Sequence, residues 1–162
     1  MNTTTPSPSP EGFDAGTRRL APDACWELMA ESVVGRLAVI VEQRPKIFPI
    51  NYVLDGKSVV FRTAAGTAFW GSVGQDIAIE ADGYQADSQS AWSVVVSGQA
   101  HVIVEPEQIA AVDALGLEPW QSGEKHNYIR LTPGSVTGRR FHTTRPGVWH
   151  PPEFDPATSS VQ

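Results

Sequence analysis

Residues 47–67 read IFPINYVLDGKSVVFRTAAGT and carry the strongest structural signal in the chain. It begins as a strand, turns at Asp55-Gly56, where both residue types tolerate the positive φ of a hairpin, and returns as a second strand. The chain then enters a loop rich in Arg, Thr and Gly, and a short helix is expected from Thr67 to Val73. A cationic side chain, hydroxyls and free backbone N–H groups at a helix start are typical of an anion site, most often for phosphate.

The rest of the chain extends this β-pattern. Leu37 to Val41 reads as a buried strand, Gln43-Arg44-Pro45 as a turn, and Pro49 as a sign of a strand edge or irregularity. Ile77 and Ile79 alternate with smaller or polar residues. The clearest strand alternates apolar and polar positions around a glycine, Gly98, that predicts a bulge or bend; its apolar members are Trp92, Val94, Val96, Ala100, Val102 and Val104.

Two last strands are expected at 128–131 and 136–141. A first helix is expected to begin at Pro22 and end at Gly35, and another to run from Pro106 to Gly116 with Ile109, Val112 and Leu115 on one face. The total is about seven strands and three short helices. Because the strands follow one another as hairpins, a parallel doubly wound sheet is disfavoured, and the pattern predicts a small antiparallel barrel.

Length and composition predict one globular domain at 17–141, preceded by a disordered segment at 1–16 and followed by a Pro-rich tail at 142–162. The tail contains Trp149, so we expect it to lie against the domain or a partner subunit. A net charge of −6 without a basic stripe disfavours nucleic acid as a partner. One cysteine, no signal sequence and no long apolar run predict a cytoplasmic protein without a membrane segment.

Most catalytic and metal-binding signatures are missing from the sequence. The four histidines have no metal-ligand spacing, so no metal site is predicted, and Cys25 lies on the apolar face of a predicted helix, where a core role is expected. The segment from Arg62 to Thr67 is the candidate site. Its alternative reading is an ordinary strand-to-helix connection, with Thr67 capping the helix and Arg62 in a surface ion pair.

Five segments, in this order and spacing, resemble the pyridoxamine 5'-phosphate oxidase-like flavin proteins: 35–39, 48–52, 61–67, 92–98 and 138–141. The resemblance implies a split β-barrel of six to seven antiparallel strands that binds FMN in a groove at a two-fold homodimer interface. It also implies the cofactor-binding residues, with Arg139 and Arg140 as further candidates for phosphate or substrate. The cofactor-binding residues are Pro49, Ile50, Asn51 and Tyr52 flanking the flavin ring, Arg62, Thr63, Gly66 and Thr67 at the phosphate, and Trp92 and Ser93 near the ring. The alternative for Trp92 is a place in the core, and the alternative for Arg139 and Arg140 is a solvated surface position.

The sequence departs from the family at two loop positions. Ala68 stands where family members commonly have a phosphate-binding Lys, and Thr67 stands where the oxidase proper has an Arg. Losing one charge-assisted hydrogen bond is expected to weaken phosphate binding by roughly 10- to 100-fold. Counterparts of the residues that recognise pyridoxamine phosphate are missing, so vitamin B6 oxidation is not expected.

The resulting hypothesis is a flavin-dependent oxidoreductase that uses FMN on an unidentified small molecule. Two alternatives stay open. One is a relative that binds deazaflavin F420, and the other is a dimeric binding or regulatory protein without enzymatic activity, whose flavin site is impaired by Ala68. In the flavin hypotheses the cofactor supplies the electron chemistry, so no catalytic acid, base or nucleophile is assigned.

Overall fold

The structure, a computed structural model, describes residues 16–64, 70, 73–117 and 127–143. These residues form seven strands and two helices. In chain order they are β1 (Thr17–Arg19), α1 (Pro22–Glu31), β2 (Val34–Val41), β3 (Arg44–Asp55), β4 (Ser58–Thr63), β5 (Asp76–Gln85), β6 (Ser90–Val102), α2 (Pro106–Asp113) and β7 (Asn127–His142). The predicted split-barrel fold class is confirmed.

All strand pairs are antiparallel, and the strand order is β1-β7-β4-β3-β2-β5-β6 with an additional pairing between β7 and β6. That last pairing closes β2 to β7 into a six-stranded barrel, and β1 extends it outside on β7. The long β7 makes this possible, because its first half pairs with β4 and its second half with β1 while β6 follows it along most of its length. In this closed order β3 and β6 lie on opposite sides of the barrel.

The barrel interior is the main hydrophobic core. Alternate residues of each strand point inward, as with Trp92, Val94 and Val96 on β6, and α1 adds Cys25 and Met29. A second, smaller cluster lies on the outer face of β4 and β7, where α2 supplies Val112. β4 is therefore buried on both faces, which explains its continuous apolar run.

Two predicted turns are confirmed. Gly56 has φ +58° in the β3–β4 hairpin, and a register shift between Ser97 and Gly98 marks the bulge opposite Pro133 and Gly134. A Cβ on Gly98 would lie 2.0 Å from the Thr132 carbonyl oxygen, so only glycine fits this close approach. The Pro49 prediction is also consistent with the pairing, since residues 44–51 of β3 pair with β2 while 52–55 pair with β4.

Several boundaries were predicted wrongly. The first helix ends at Glu31, and Gly35 lies within β2, where it packs under the Tyr52 ring. The turn after β2 is Glu42-Gln43, both at positive φ, so Arg44 and Pro45 already belong to β3. The two last strands are one strand, β7, because the bulge accommodates the break expected at Pro133 and Gly134.

Other differences concern the ends of elements. β6 ends at Val102, so Val104 is exposed and the neighbouring Ile103 is buried against the second cluster. α2 ends at Asp113, and Leu115 is partly exposed, although Gly116 has the positive φ expected of a helix stop. β1 was not predicted. The predicted helix at 67–73 lies largely outside the described residues, as do residues 1–15 and 144–162 of the two terminal segments.

Candidate functional site

Four predicted site residues follow one another on β3, and the pleat divides them between the two faces of the barrel wall. Tyr52 is only 3% exposed, and its hydroxyl donates a hydrogen bond of 2.7 Å to the Met29 carbonyl oxygen. Ile50 packs against the same inner core. Pro49 is exposed and Asn51 half-buried, and by alternation both face outward. A ligand outside the barrel can therefore contact the Pro49 and Asn51 side chains, while Tyr52 can offer only its backbone.

Arg62 lies near the end of β4, one position beyond the pair Tyr52–Phe61, and so next to Asn51. Its guanidinium carbon lies 5.0 Å from the centroid of the Tyr128 ring, its cross-strand partner on β7. Such cation–π contacts hold a guanidinium over a ring face. Thr63 follows Arg62 and is buried, which places its side chain toward the interior.

Tyr128 is itself fixed by a hydrogen bond from its hydroxyl to the Asp113 carboxylate at the end of α2. Burial, followed by this bond, raises the pKa of Tyr128, while the nearby Arg62 charge lowers it. The phenol therefore stays neutral at physiological pH. The sequence of contacts from Asp113 through Tyr128 to Arg62 gives the guanidinium a defined position at the strand end, where the chain enters the predicted phosphate loop.

The loop itself is only partly described. Gly66, Thr67, Ala68 and Phe69 lie outside the described residues, so their proposed contacts with phosphate stay predictions. Trp70, which follows the loop, is described and is 38% exposed.

The remaining predicted site residues, Trp92 and Ser93, lie on β6. The Trp92 ring is buried over Gly83, whose added Cβ would meet the ring at 2.6 Å, so Trp92 is a core residue in this subunit. Ser93 faces outward and accepts a hydrogen bond of 3.3 Å from Arg139 Nε. Ser93 and Arg139 line an open cleft of about 450 Å³ on the outer face of β6 and β7, and Arg19 also contributes to its lining.

One subunit does not bring all the predicted residues together. Asn51 and Arg62 are neighbours, whereas Ser93 is three strand spacings from β3 in either direction around the barrel, or about 14 Å at the usual spacing. The outward residues therefore form two groups: the Arg62 group (Pro49, Asn51, Arg62 and Tyr128) and the Ser93 group (Ser93, Arg139 and Arg19).

Sequence reasoning missed Tyr128, Asp113 and Arg19 as members of these groups. Tyr128 was predicted only as a strand residue, since its contact with Arg62 depends on the pairing of β4 with a strand far along the chain. A stronger signal existed for Arg19, because Arg18-Arg19 is one of two arginine pairs in an acidic chain. The described residues hold no group of three or more His, Cys, Asp or Glu side chains that could bind a metal. None of their helices is long and apolar enough to span a membrane.

Comparison with known proteins agrees with this architecture. The sequence profile of the family described as pyridoxamine 5'-phosphate oxidase matches residues 21–140. The chain belongs to this family. An uncharacterized protein of Mycobacterium tuberculosis is 31% identical, with 78% of this chain and 93% of that protein covered.

Two solved structures are similar in both sequence and fold. The FAD binding protein from Mycobacterium smegmatis is 32% identical with a TM-score of 0.70, covering 78% of this chain and 100% of that one. A conserved protein of unknown function from Corynebacterium diphtheriae is 34% identical with a TM-score of 0.66, covering 78% of this chain and 98% of that one. The family resemblance inferred from the sequence is confirmed.

Proposed function

We propose that this protein binds a flavin nucleotide and uses it as an oxidoreductase on a small molecule. The observation that carries the proposal is the 32% identity to the M. smegmatis FAD binding protein over the whole of that chain. The same proposal includes a cytoplasmic location, in keeping with the buried Cys25, whose thiol pKa is raised by burial.

The Arg62 group fits the phosphate end of such a ligand. A guanidinium held over the Tyr128 ring presents its N–H donors in a fixed direction, which suits a phosphate better than a flexible ammonium would. When bound, a flavin supplies hydride or single-electron transfer. In the proposal the Arg62 side chain and the backbone at Thr63 hold the phosphate, because the Thr63 side chain is buried. Pro49 and the backbone from Ile50 to Tyr52 flank the ring and exclude water from one side.

FMN is the proposed ligand, and FAD is the variant that the M. smegmatis protein suggests. FAD contains the same riboflavin phosphate unit, so Arg62 has the same role for both. The difference lies in the second phosphate and the adenosine, which need further donors beyond the Arg62 group. F420, a deazaflavin, is the third candidate.

A titration followed by flavin fluorescence tests the phosphate contact. FMN should bind at least about tenfold more tightly than riboflavin, because one charge-assisted hydrogen bond contributes roughly 1.5–3 kcal/mol. Arg62→Ala should abolish that difference, while Arg44→Ala, at an exposed arginine on β3, should preserve it. Equal affinities for FMN and riboflavin in the wild type would contradict the proposed phosphate site. Binding of F420 alone would favour the deazaflavin alternative. If FMN, FAD, F420 and riboflavin all fail to bind, the alternative of a regulatory protein without a flavin is favoured.

We further propose that the protein works as a homodimer. If the Arg62 and Ser93 groups contact the same flavin, as the resemblance implies, one must come from a second subunit, because β3 and β6 are on opposite sides of one barrel. The outer face of β2 and β3 offers an apolar surface for this contact, hereafter the apolar strip: Ile40, Pro45, Ile47 and Pro49. Exposed apolar patches of this kind commonly mark interfaces.

Light scattering at micromolar concentration tests the dimer, with twice the 17.5 kDa of one chain as the expected mass. Ile47→Asp should produce monomers and weaken FMN binding in parallel. Val104→Asp is the matched control, because Val104 and Ile47 are both 68% exposed and Val104 lies outside the apolar strip. A monomeric wild type that still binds FMN tightly would contradict the two-subunit site.

A further inference from the structure

A second cleft opens at the end of the barrel where β1, the β5–β6 turn and the end of β7 meet. Its volume is about 560 Å³. Its polar lining consists of Arg18, Arg140, His142, Ser88, Ser90, Gln85 and Thr17. Every one of these side chains can donate a hydrogen bond, and no carboxylate lines the cleft among the described residues.

Arg18 and Arg140 are direct cross-strand partners on β1 and β7. Side chains at such positions have Cβ atoms about 4.5–5.5 Å apart, and like charges there repel. Carboxylates of the described residues form ion pairs with Arg36, Lys57 and Arg130. The two facing guanidinium groups therefore have no carboxylate of the described fold between them.

Arg140 gives a second, independent sign of a missing partner. Its Nε is buried and has no hydrogen-bond acceptor, which makes it the one such side-chain atom among the described residues. Buried donors are nearly always satisfied in folded proteins, so an exception points to an unseen acceptor. The net charge of −6 rules out a general excess of positive charge as the reason for the pair.

We propose that this cleft binds the oxyanion group, phosphate or carboxylate, of a small molecule between Arg18 and Arg140. An oxyanion accepts from two guanidinium groups at once and relieves their repulsion, and the hydroxyls and amide of the lining supply further donors. The site lies apart from the Arg62 group of the same subunit, because Arg140 is near the end of β7, where β1 pairs, and Tyr128 is near its start, where β4 pairs. It also faces away from Arg139, since neighbouring strand residues point to opposite faces.

Calorimetry on the full chain tests this site with inorganic phosphate and with succinate, each against chloride at matched ionic strength. Saturable binding of one ion per subunit is expected for at least one probe, and the comparison of the two distinguishes a phosphate from a carboxylate ligand. Arg18→Gln should weaken the binding at least tenfold. Arg44→Gln, at an exposed arginine on β3, should leave it unchanged.

Thermal unfolding supplies the second readout. Without added anion at low ionic strength, Arg18→Gln should unfold at the wild-type temperature or above, because it removes the repulsion, and it should lose the anion-induced rise. The proposal is overturned if neither phosphate nor succinate binds saturably. It is also overturned if Arg44→Gln weakens the binding as much as Arg18→Gln does. Phosphate binding that disappears in Arg62→Ala and persists in Arg18→Gln would place the anion at the proposed flavin site instead.

Discussion

The inner and outer faces of the barrel carry different kinds of residue from the same strands. On β2 and β5 the inward Leu37 and Ile79 are buried in the core, while Arg36 and Glu80 next to them form an ion pair in solvent. The inner face is stabilised by burial and close packing, so a side chain that changes size there cannot move into solvent. The outer face carries the Arg62 and Ser93 groups, which are proposed to bind the flavin, whereas Arg140 lies on the opposite face from Arg139, at the end of the barrel. Along β3 and β6, residues that stabilise the core therefore alternate with residues proposed to bind the flavin.

The largest effect on stability is expected at the β6–β7 bulge, where the backbones of the two strands are closest. Gly98→Ala should destabilise the protein by at least about 3 kcal/mol, because the new Cβ meets backbone atoms that cannot move aside, the nearest at 2.0 Å. Gly134→Ala is the matched control from the other strand of the bulge, since its Cβ would come no nearer than 3.7 Å to its surroundings. Urea denaturation measures both. Equal stability of the two variants would mean that the bulge is not tightly packed.

This bulge also shows how far the sequence predicts the fold. An apolar–polar alternation interrupted by Gly98 was enough to locate a bend, and Asp55-Gly56 was enough to locate a hairpin. The same reasoning divided β7 in two at Pro133, because the partner that accommodates the break, Gly98, is distant in sequence. Local chemistry thus predicted the turns, while pairing between distant strands decided whether a break ended a strand.

The candidate site was less predictable than the fold. Arg62 stood out through its type and its place before a loop, but Tyr128 and Asp113, which fix it, are brought there by the β4–β7 pairing and by α2. Similarly, the repulsion between Arg18 and Arg140 exists only because β1 pairs with β7. The order of predicted strands along the chain gives no such cross-strand neighbours.

The next largest effect concerns a titratable group on the inner face. Burial, the main cause, raises the pKa of Tyr52 to about 12, so the folded state keeps the neutral phenol at a pH where the unfolded chain ionises. The stability contributed by Tyr52 is complete below pH 10 and is lost as the pH rises toward 12. The expected loss is about 2–3 kcal/mol at 1.36 kcal/mol per pKa unit.

Urea denaturation at pH 8 and pH 11.5 checks this loss. Tyr52→Phe should be about 1 kcal/mol less stable at pH 8, because it lacks the hydrogen bond to Met29, and should lose less stability at high pH. The variant should keep the alkaline loss of stability that comes from Tyr128, because burial and the hydrogen bond to Asp113 raise the pKa of Tyr128 as well. Tyr84→Phe, at an exposed ring, is the control and should follow the wild type. An identical alkaline loss in wild type and Tyr52→Phe would contradict the assignment.

The effects expected at the proposed phosphate loop are smaller and concern ligands. Ala68→Lys restores the lysine that related proteins commonly have in the phosphate loop. FMN affinity should rise by about tenfold, or roughly 1.4 kcal/mol, and the gain should shrink at high salt. Riboflavin affinity should stay unchanged in the same variant. Ala30→Lys adds the same charge at an exposed position of α1 and should have no effect on either ligand. A gain for riboflavin as large as that for FMN would mean that the lysine acts on something other than the phosphate.

The smallest effect is expected at the outer-face ion pairs of Arg36. Its guanidinium lies 2.7 Å from Glu80 and 2.9 Å from Asp82, but its side chain is 52% exposed, so solvent screens both contacts. Arg36→Gln should cost less than about 1 kcal/mol of unfolding free energy in low salt and nothing measurable in 1 M NaCl. Arg44→Gln, at an arginine without a described ion pair, is the control. A salt-independent loss of several kcal/mol would mean that the outer face contributes to stability as the inner face does, and the separation of the two would fail.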